Sequence, residues 1–291
     1  MLVDTRYLKS LISVVECGSI ADAARAEGFT AAAVSQRIQA LERQLGFDLL
    51  ARSGHSAKPT EACLALLPRA RHIVRQVALL AGDADFDGLT GSLRIGAIST
   101  MLTGLLPRAL QELSRLAPGI KPSILPGTSR ALYQALQDAE LDAVICVAPP
   151  FDMPKSLRAI TLRSEPLVLL SHQPLRGCIA RTLQTGPYIR YDPASWGGLH
   201  AERYLTDNTI AVQSLFDLDG LEAIAMLVAD GIGVSLVPQW SGLEQMAHNL
   251  VITPVQGDYR RDIVLLTAAS SERPTMLDAL RAALLAGSPM A

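Results

Sequence analysis

Leu8, Leu11, Ile12 and Val15 recur at i, i+3, i+4 and i+7, the stripe of a helix with one buried face. Gly18 ends that stripe, since glycine takes the left-handed conformation that helix ends often need. Ser19 then caps a short Ala-rich helix running to about Ala26, with Asp22 three residues on and able to reach back to the cap's amide. Glu27-Gly28-Phe29 reads as a tight turn, and Thr30 caps a third helix. At about 100° per residue, Val34, Ile38, Leu41 and Leu45 fall on one narrow face that must be buried. Ala32, Gln36, Gln39 and Arg43 lie opposite, with Ser35 and Arg37 on the flanks. Two short helices across a Gly-containing turn, the second presenting such a face, fit a helix-turn-helix. A plain helical bundle with a solvated polar face has the same periodicity. Beyond it, Leu49 to Arg52, Ser53-Gly54 and His55 to Lys58 have the form of a short hairpin, or wing, carrying Arg52, His55 and Lys58.

Thr60 caps a long helix predicted to reach about Gly82. Leu66, Ile73 and Leu80 recur every seven residues, accompanied by Leu67, Val74 and Val77. That seam suits a coiled coil between two chains, and equally the buried face of a single helix. Residues 81–91, with Gly82, Gly88, Gly91 and three Asp, form the expected hinge. From Ser92 strands alternate with helices. Leu93, Ile95 and Ala97 mark a strand, Ser99-Thr100 cap a helix through about Leu116, Lys121 to Leu125 is a second strand, Gly127-Thr128-Ser129 begin another helix, and Leu141 to Val147 is an apolar strand. Such a βαβ series favours a parallel sheet covered by helices. A second module starts near Arg163, with strands at Leu167–Leu170, Tyr188–Tyr191, Ala211–Phe216 and Gly233–Val237, and helices near Leu199–Leu205 and Leu221–Ala229. Arg260 to Ala268 crosses back, and a helix near Met276–Leu285 closes the chain. The expected division is 1–60, 61–90 and 91–291, the last split into a first lobe (91–162 and 266–291) and a second (163–265).

Length and composition agree with this. A chain of 291 residues, 49% hydrophobic and 19% charged, makes two or three globular domains. Aromatics are only 4%, so the cores are aliphatic. No stretch approaches the roughly 18–20 apolar residues of a membrane span, and Met1 to Leu11 has no apolar run before a cleavage site. No membrane partner is expected, and the expected compartment is the cytoplasm. Cys17, Cys63, Cys146 and Cys178 form no CxxC pair and read as reduced thiols, with a Cys146–Cys178 switch as the alternative.

Charge constrains the chemistry further. Residues 1–62 hold seven Arg and Lys against seven Asp and Glu, so the first domain is neutral overall. If it binds nucleic acid, affinity must come from uneven placement of charge and from several copies on one DNA. Ser, Gln and Arg on an exposed helix face are nonetheless the side chains that bond base edges and phosphates. No GxSxG elbow, HExxH, Walker loop or metal-spaced Cys/His cluster occurs, and Gly231-Ile232-Gly233 lacks the spacing of a dinucleotide fingerprint. An enzyme and a cofactor are therefore not expected.

The run Val14 to Ile20 with Ala23-Ala24 resembles the opening of LysR-type bacterial transcriptional regulators. Ala33 to Ile38, Leu41-Glu42, Leu45-Gly46, Leu49-Leu50, Arg52 and Thr60-Glu61-Ala62 continue that family's pattern in register over about sixty residues. Ile20 and Leu50 replace the usual Phe, Thr30-Ala31-Ala32 replaces Ser-Gln-Pro, and Cys63 replaces a Gly. The resemblance implies an α/β protein with an N-terminal winged helix-turn-helix, a long linker helix, and a two-lobed effector domain like the periplasmic solute-binding proteins. It implies a double-stranded DNA operator as partner, a small-molecule effector between the lobes, and self-association as a homodimer or homotetramer. The residues matching the DNA-reading role are Thr30, Ala32, Ser35, Gln36, Arg37, Gln39, Arg43, Arg52, His55 and Lys58. A solute-binding transport protein would share the lobes but not the N-terminal helices.

In such lobes ligands meet the carboxyl ends of strands and the starts of helices. Ser99, Thr100, Thr128 and Ser129 stand at two such places, where hydroxyls and amides could hold a carboxylate or only cap their helices. From the second lobe, Ser171, His172, Tyr191, Ser195, Trp196 and Phe216 are candidates to complete the cleft.

Overall fold

The computed structural model describes residues 3–53, 56–80, 88–246 and 249–287. The chain divides into two compact units, Met1–Phe86 with Asp138–Glu140, and Asp87–Gln137 with Leu141–Ala291.

In the first unit, caps set where each helix begins. α1 (Thr5–Cys17) starts where the Asp4 carboxylate accepts the Arg6 amide at 2.9 Å. α2 (Ile20–Glu27) starts where the Ser19 hydroxyl oxygen accepts the Asp22 amide at 3.0 Å. The Asp22 carboxylate does not reach back to the cap's amide. It accepts the Ser19 hydroxyl and pairs with Arg25, and these contacts hold its carboxyl below the usual range. Gly28, at φ +72°, makes the left-handed turn that a residue with a side chain would resist, and α3 (Ala31–Leu45) follows. Thr30 caps α3 by accepting the Ala33 amide at 3.2 Å.

Val34, Ile38 and Leu41 of α3 are fully buried, against Val14, Ala23 and Ala24 on one side and Leu8, Leu11 and Leu49 on the other. Each such side chain contributes roughly 1.5–3 kcal/mol by leaving water, so the helix cannot roll about its axis without large loss. β1 (Leu50–Ser53) and β2 (Ser56–Pro59) pair antiparallel, Leu50 facing Pro59 and Arg52 facing Ala57. Glu42 of α3 accepts the amides of Leu49 (2.8 Å) and Leu50 (3.1 Å), which fastens the hairpin to that helix.

α4 (Glu61–Leu79) is capped by Thr60 through the Cys63 amide at 3.1 Å. Its helix ends earlier than the Gly82 expected, and the expected hinge, residues 81–91, lies largely outside the described residues. The seven-residue seam also splits between two faces. Leu67 is buried and Leu66 and Val74 pack on the unit's own core, whereas Ile73, Val77 and Leu80 are exposed.

The second unit begins with β3 (Gly91–Ala97), α5 (Ser99–Thr103), α6 (Leu106–Leu116), β4 (Ile120–Pro126), α7 (Ser129–Gln137) and β5 (Ala143–Val147). The single helix expected over 99–116 is therefore two, broken at Gly104-Leu105, with Pro107 in the first turn of α6. β6 (Leu157–Ser171) is far longer than the strand expected at Leu167–Leu170. Its first half is mostly exposed or half-buried and so lacks the apolar run that betrayed its second half.

After it come α8 (Ile179–Thr185), β7 (Tyr188–Tyr191), α9 (Gly198–Asp207), β8 (Ser214–Leu218), α10 (Leu221–Ala229) and β9 (Ser235–Pro238). The chain closes with β10 (Val251–Pro254), β11 (Arg260–Ala268) and α11 (Pro274–Gly287). α8 and β10 had no counterpart in the sequence pattern.

β3 pairs parallel with both β4 and β5, as a βαβ series requires, but β11 runs antiparallel to β5 and β6, so the sheet is mixed. The far half of β6 leaves β11 and pairs antiparallel with β9 and β10 in the second lobe. A backbone bridge from Tyr188 to Val234 joins the parallel pair β7–β8 to this second layer. β6 is thus one chain crossing between lobes, and the residues between β10 and β11 are the other. Ile263, Val264 and Leu265 already pack in the first lobe's core, so the return occurs before residue 266, the expected boundary. A strand that pairs along its whole length with β5 and β6 cannot change lobes midway. Cys146 is buried in the first-lobe core and Cys178 is exposed at the start of α8 in the second.

Candidate functional site

The first site is the exposed face of α3. Thr30, Ala32, Gln36, Gln39 and Arg43 are exposed and Ser35 is half-buried, all on the face opposite Val34, Ile38 and Leu41. Gln39 Nε2 donates to Ser35 Oγ (3.4 Å), and Arg43 Nε donates to the Gln39 carbonyl (3.3 Å), so these side chains line up along the helix. Lys58 is exposed on β2 and Arg52 sits on β1, while His55 lies outside the described residues.

Arg37 departs from this face. Its Nη1 donates to the buried Ser10 hydroxyl (3.1 Å) and lies 3.3 Å from Glu27 Oε2, while Ser10 donates to that same carboxylate oxygen at 2.9 Å. The guanidinium carbon stands 4.1 Å from the centre of the Phe29 ring, a cation–π contact. Arg37 thereby ties α3 to α1 and to the turn after α2. Its flank position at about 100° per residue is compatible with either role, and only Ser10 and Glu27 decide between them.

The second site is a cavity of about 470 Å³ in the second unit, within the size range of small-molecule sites. It opens where the carboxyl ends of β3, β4, β5, β7 and β8 converge, the place where open α/β sheets bind ligands. The first lobe supplies Ile98, Ser99 and Thr100, Pro126 to Arg130, and Val147. The second supplies Tyr191, Asp192, Ala194 to Gly197, and Asp219 to Leu221. Ser99, Thr100, Thr128, Ser129, Tyr191, Ser195 and Trp196 of the sequence candidates therefore share one cavity.

His172 and Phe216 lie elsewhere. His172 follows the end of β6, seven residues past Glu165 and so roughly 20 Å along a strand; it is exposed beside Gly231. Phe216 is exposed within β8, because that strand ends at Leu218 and not at Phe216. Its carboxyl end therefore delivers Asp219 and Gly220 to the cavity instead. Ser171 is buried and donates to the Gln173 carbonyl, a local turn contact.

Ser99 and Thr100 do not cap α5, whose first flanking residue is Ile98 with no side-chain cap. Ser99 donates to Glu222 (3.2 Å), and Thr100 accepts from Arg261. Thr128 does cap, accepting the Ala131 amide at 3.3 Å, and Ser129, inside the first turn of α7, accepts the Val147 amide at 3.3 Å.

The floor of the cavity is Arg261, a residue the sequence pattern did not single out. It is buried (1% exposed) and bonded through Nε to Glu165 (2.8 Å), through Nη2 to Thr100 (3.2 Å) and through Nη1 to the Tyr191 phenol (3.3 Å). One guanidinium thus joins β6 and both lobes. A buried ion pair of this kind is worth little in net stability, yet losing Glu165 strands the Arg261 charge, whereas losing Arg261 leaves Glu165 with Arg163 alone at 3.3 Å. Burial pushes the Tyr191 phenol up, so it stays neutral. Gly197 carries no side chain for a close reason: a Cβ there would collide with the Tyr191 hydroxyl. Glu165 and Arg261 each stand just before an apolar strand run, but other charges adjoin both (Arg163 beside Glu165, Arg260 and Asp262 beside Arg261), so the sequence does not single them out.

Two family models cover these two sites. One, described as "Bacterial regulatory helix-turn-helix protein, lysR family", matches residues 5–64, and the other, "LysR substrate binding domain", matches residues 86–288. The chain belongs to the LysR family of bacterial transcriptional regulators. Among curated relatives, the regulator CbbR of Rhodospirillum rubrum is 27% identical over 87% of this chain and 85% of its own. The transcriptional activator CmpR of Synechocystis sp. is 27% identical over 84% and 82%.

Among solved structures, CbnR, a LysR family regulator, superposes with a TM-score of 0.72 at 19% identity, over 99% of this chain and 100% of that one. A full-length OxyR variant from Pseudomonas aeruginosa gives 0.71 at 20%, over 98% of each. These two show that the fold is shared along the whole chain. This regulator is a DNA-binding transcriptional regulator with a small-molecule-binding domain, and not an enzyme. Among the described residues no helix is long and apolar enough to cross a membrane.

Proposed function

We propose that the regulator reads a double-stranded operator with the face of α3 made by Thr30, Ala32, Ser35, Gln36, Gln39 and Arg43. Arg52, His55 and Lys58 of the wing reach the adjacent backbone or minor groove. The observation that carries this reading is a row of exposed hydrogen-bonding side chains on a helix whose other face is pinned into a core. Small residues at its start, Ala31 to Ala33, let the helix end approach a groove closely. Arg37 acts differently, holding α3 at its angle to α1.

Residues 1–60 read DNA, 61–90 pair copies of the chain, and 91–291 sense a ligand. Ile73, Val77 and Leu80 support the pairing, since they lie at i, i+4 and i+7 with no cover from their own unit. A homodimer built on this helix, or a homotetramer of two such pairs, raises the affinity of a neutral reader by placing two copies on one DNA. Operator DNA is the partner, so the cytoplasm is the compartment.

The effector is a small molecule bearing a carboxylate, held in the cavity between Ser99, Thr100, Thr128 and Ser129 on one side and Tyr191, Ser195 and Trp196 on the other. By favouring one arrangement of the lobes it shifts the population of DNA-bound forms. The test of the DNA face is operator selection from random sequence, followed by Gln36→Ala. Loss of about 1–3 kcal/mol concentrated at one base pair is the expected result. A uniform loss, or none, removes Gln36 from the base-reading set.

A further inference from the structure

The cavity walls carry opposite charge. On the first-lobe side Arg130, in the first turn of the nine-residue helix α7, stands beside the Thr128 and Ser129 hydroxyls. On the second-lobe side stand two carboxylates, Asp192 after β7 and Asp219 after β8. The buried cation between them, Arg261, already has its donors on Glu165, Thr100 and Tyr191, and Arg163 approaches the same Glu165 at 3.3 Å. Asp192 accepts the Ala194 amide at 2.9 Å, a local turn bond that brings no cation. Burial pushes the Asp219 carboxyl up, and Asp192 adds to this, against the opposing pull of the Ser195 hydrogen bond and of Arg261. Among the described lining residues the second-lobe wall has two carboxylates and no cation of its own, while the first-lobe wall offers Arg130. Ile98, Val147, Leu221 and Trp196 supply apolar surface between them.

We propose that the ligand of this cavity is a zwitterion, an α-amino acid in the simplest case, with its carboxylate on the Thr128–Arg130 wall and its ammonium between Asp192 and Asp219. This rests on the reading that the effector occupies the cavity, and it adds the cationic half of the ligand. A simple carboxylic acid would satisfy one wall and leave both aspartates facing an uncharged group. A bare amine would leave Arg130 unanswered. A molecule with both charges joins the lobes, and the apolar residues leave room for a hydrocarbon side chain.

The experiment is calorimetry on the full chain with the twenty protein amino acids. Any binder is then compared with its 2-hydroxy acid, which lacks only the ammonium, and with its decarboxylated amine. The expected result is one or a few amino acids that bind, with both analogues at least tenfold weaker. Asp219→Asn should weaken the amino acid at least tenfold and leave the hydroxy acid unchanged. Arg130→Ala should weaken the amino acid and the hydroxy acid but not the amine. Asp219 and Arg130 line the cavity and belong to no hydrophobic core, so the variants are expected to fold, and a melting curve checks each.

If no amino acid binds, the proposal fails. If the hydroxy acid binds as tightly as the amino acid and Thr128→Ala weakens both, the ligand is a plain acid: the zwitterion falls and the cavity reading stands. If a ligand binds but no cavity substitution alters its affinity, the cavity reading itself falls.

Discussion

Replacing Arg37 by Met separates a residue that reads DNA from one that holds the reader. Arg37 and Glu27 are 19% and 8% exposed at their side chains, and both engage the fully buried Ser10. Removing one partner of a buried pair costs about 3–5 kcal/mol, and the partial exposure of Arg37 reduces this to about 2–3 kcal/mol. Loss of the contact with Phe29 adds about 0.5–1 kcal/mol. At about 4–8 °C per kcal/mol for a unit of this size, the first unit should melt roughly 10–30 °C lower, as followed by circular dichroism.

On DNA, anisotropy titrations against an operator and all its single-base variants should show weakening by a similar factor at every position, because the whole helix is less well held. The slope of log K against log salt should not change, since no phosphate contact is lost, whereas loss of one such contact would reduce it by about one. Glu27→Gln, which keeps two hydrogen bonds and removes the charge, should fall between wild type and Arg37→Met. An Arg37→Met protein that melts with the wild type but loses discrimination at a single base pair would refute the reasoning, because Arg37 would then touch a base.

Three further outcomes are expected. Arg261→Met leaves the buried Glu165 (0% exposed) with Arg163 alone, 3.3 Å away, and should destabilise the second unit in urea unfolding by less than the about 3–5 kcal/mol of a fully stranded charge, with Arg261→Met/Arg163→Met reaching that full loss. Asp219→Asn should stabilise the free protein at neutral pH. A carboxyl raised in the folded state binds more protons there than when unfolded, so it costs stability as pH rises from its ordinary value of 3.8. The advantage of the Asn variant should therefore vanish in melts at pH below that value. Finally, iodoacetamide on the native protein should label Cys17 and Cys178, which are exposed, and spare Cys63 and Cys146. Burial pushes the Cys146 thiol up to about 12, and peptide mass spectrometry reads the outcome.

Local rules made the first unit legible. The caps Ser19, Thr30 and Thr60, the glycine after each of the first three helices, and the buried row Val34, Ile38, Leu41 act within one or two turns, so the sequence shows them directly. The contacts of Arg37 were not legible because its partners, Ser10 and Glu27, are brought to it by packing and not by spacing. The same limit applied in the second unit. α10 and β11 stood out as apolar runs, whereas the first half of β6, half-exposed and polar, did not. Placing β8 two residues early pointed to Phe216 and hid Asp219, since one shift along a strand changes which residue stands at its carboxyl end. Arg261 and Glu165 were invisible as a pair because 96 residues separate them. The Ser/Thr positions of the cleft were found because strand-to-helix junctions are local features.

The central claim is that a molecule in the cavity changes how the chain holds DNA. Its most direct test is nuclease footprinting of the wild-type chain on its selected operator, with and without a saturating ligand that calorimetry assigns to the cavity. The account predicts a change in the extent or hypersensitivity of protection on ligand addition, absent in the Thr128→Ala variant that no longer takes the ligand up. Identical footprints for free and fully liganded wild type would contradict it.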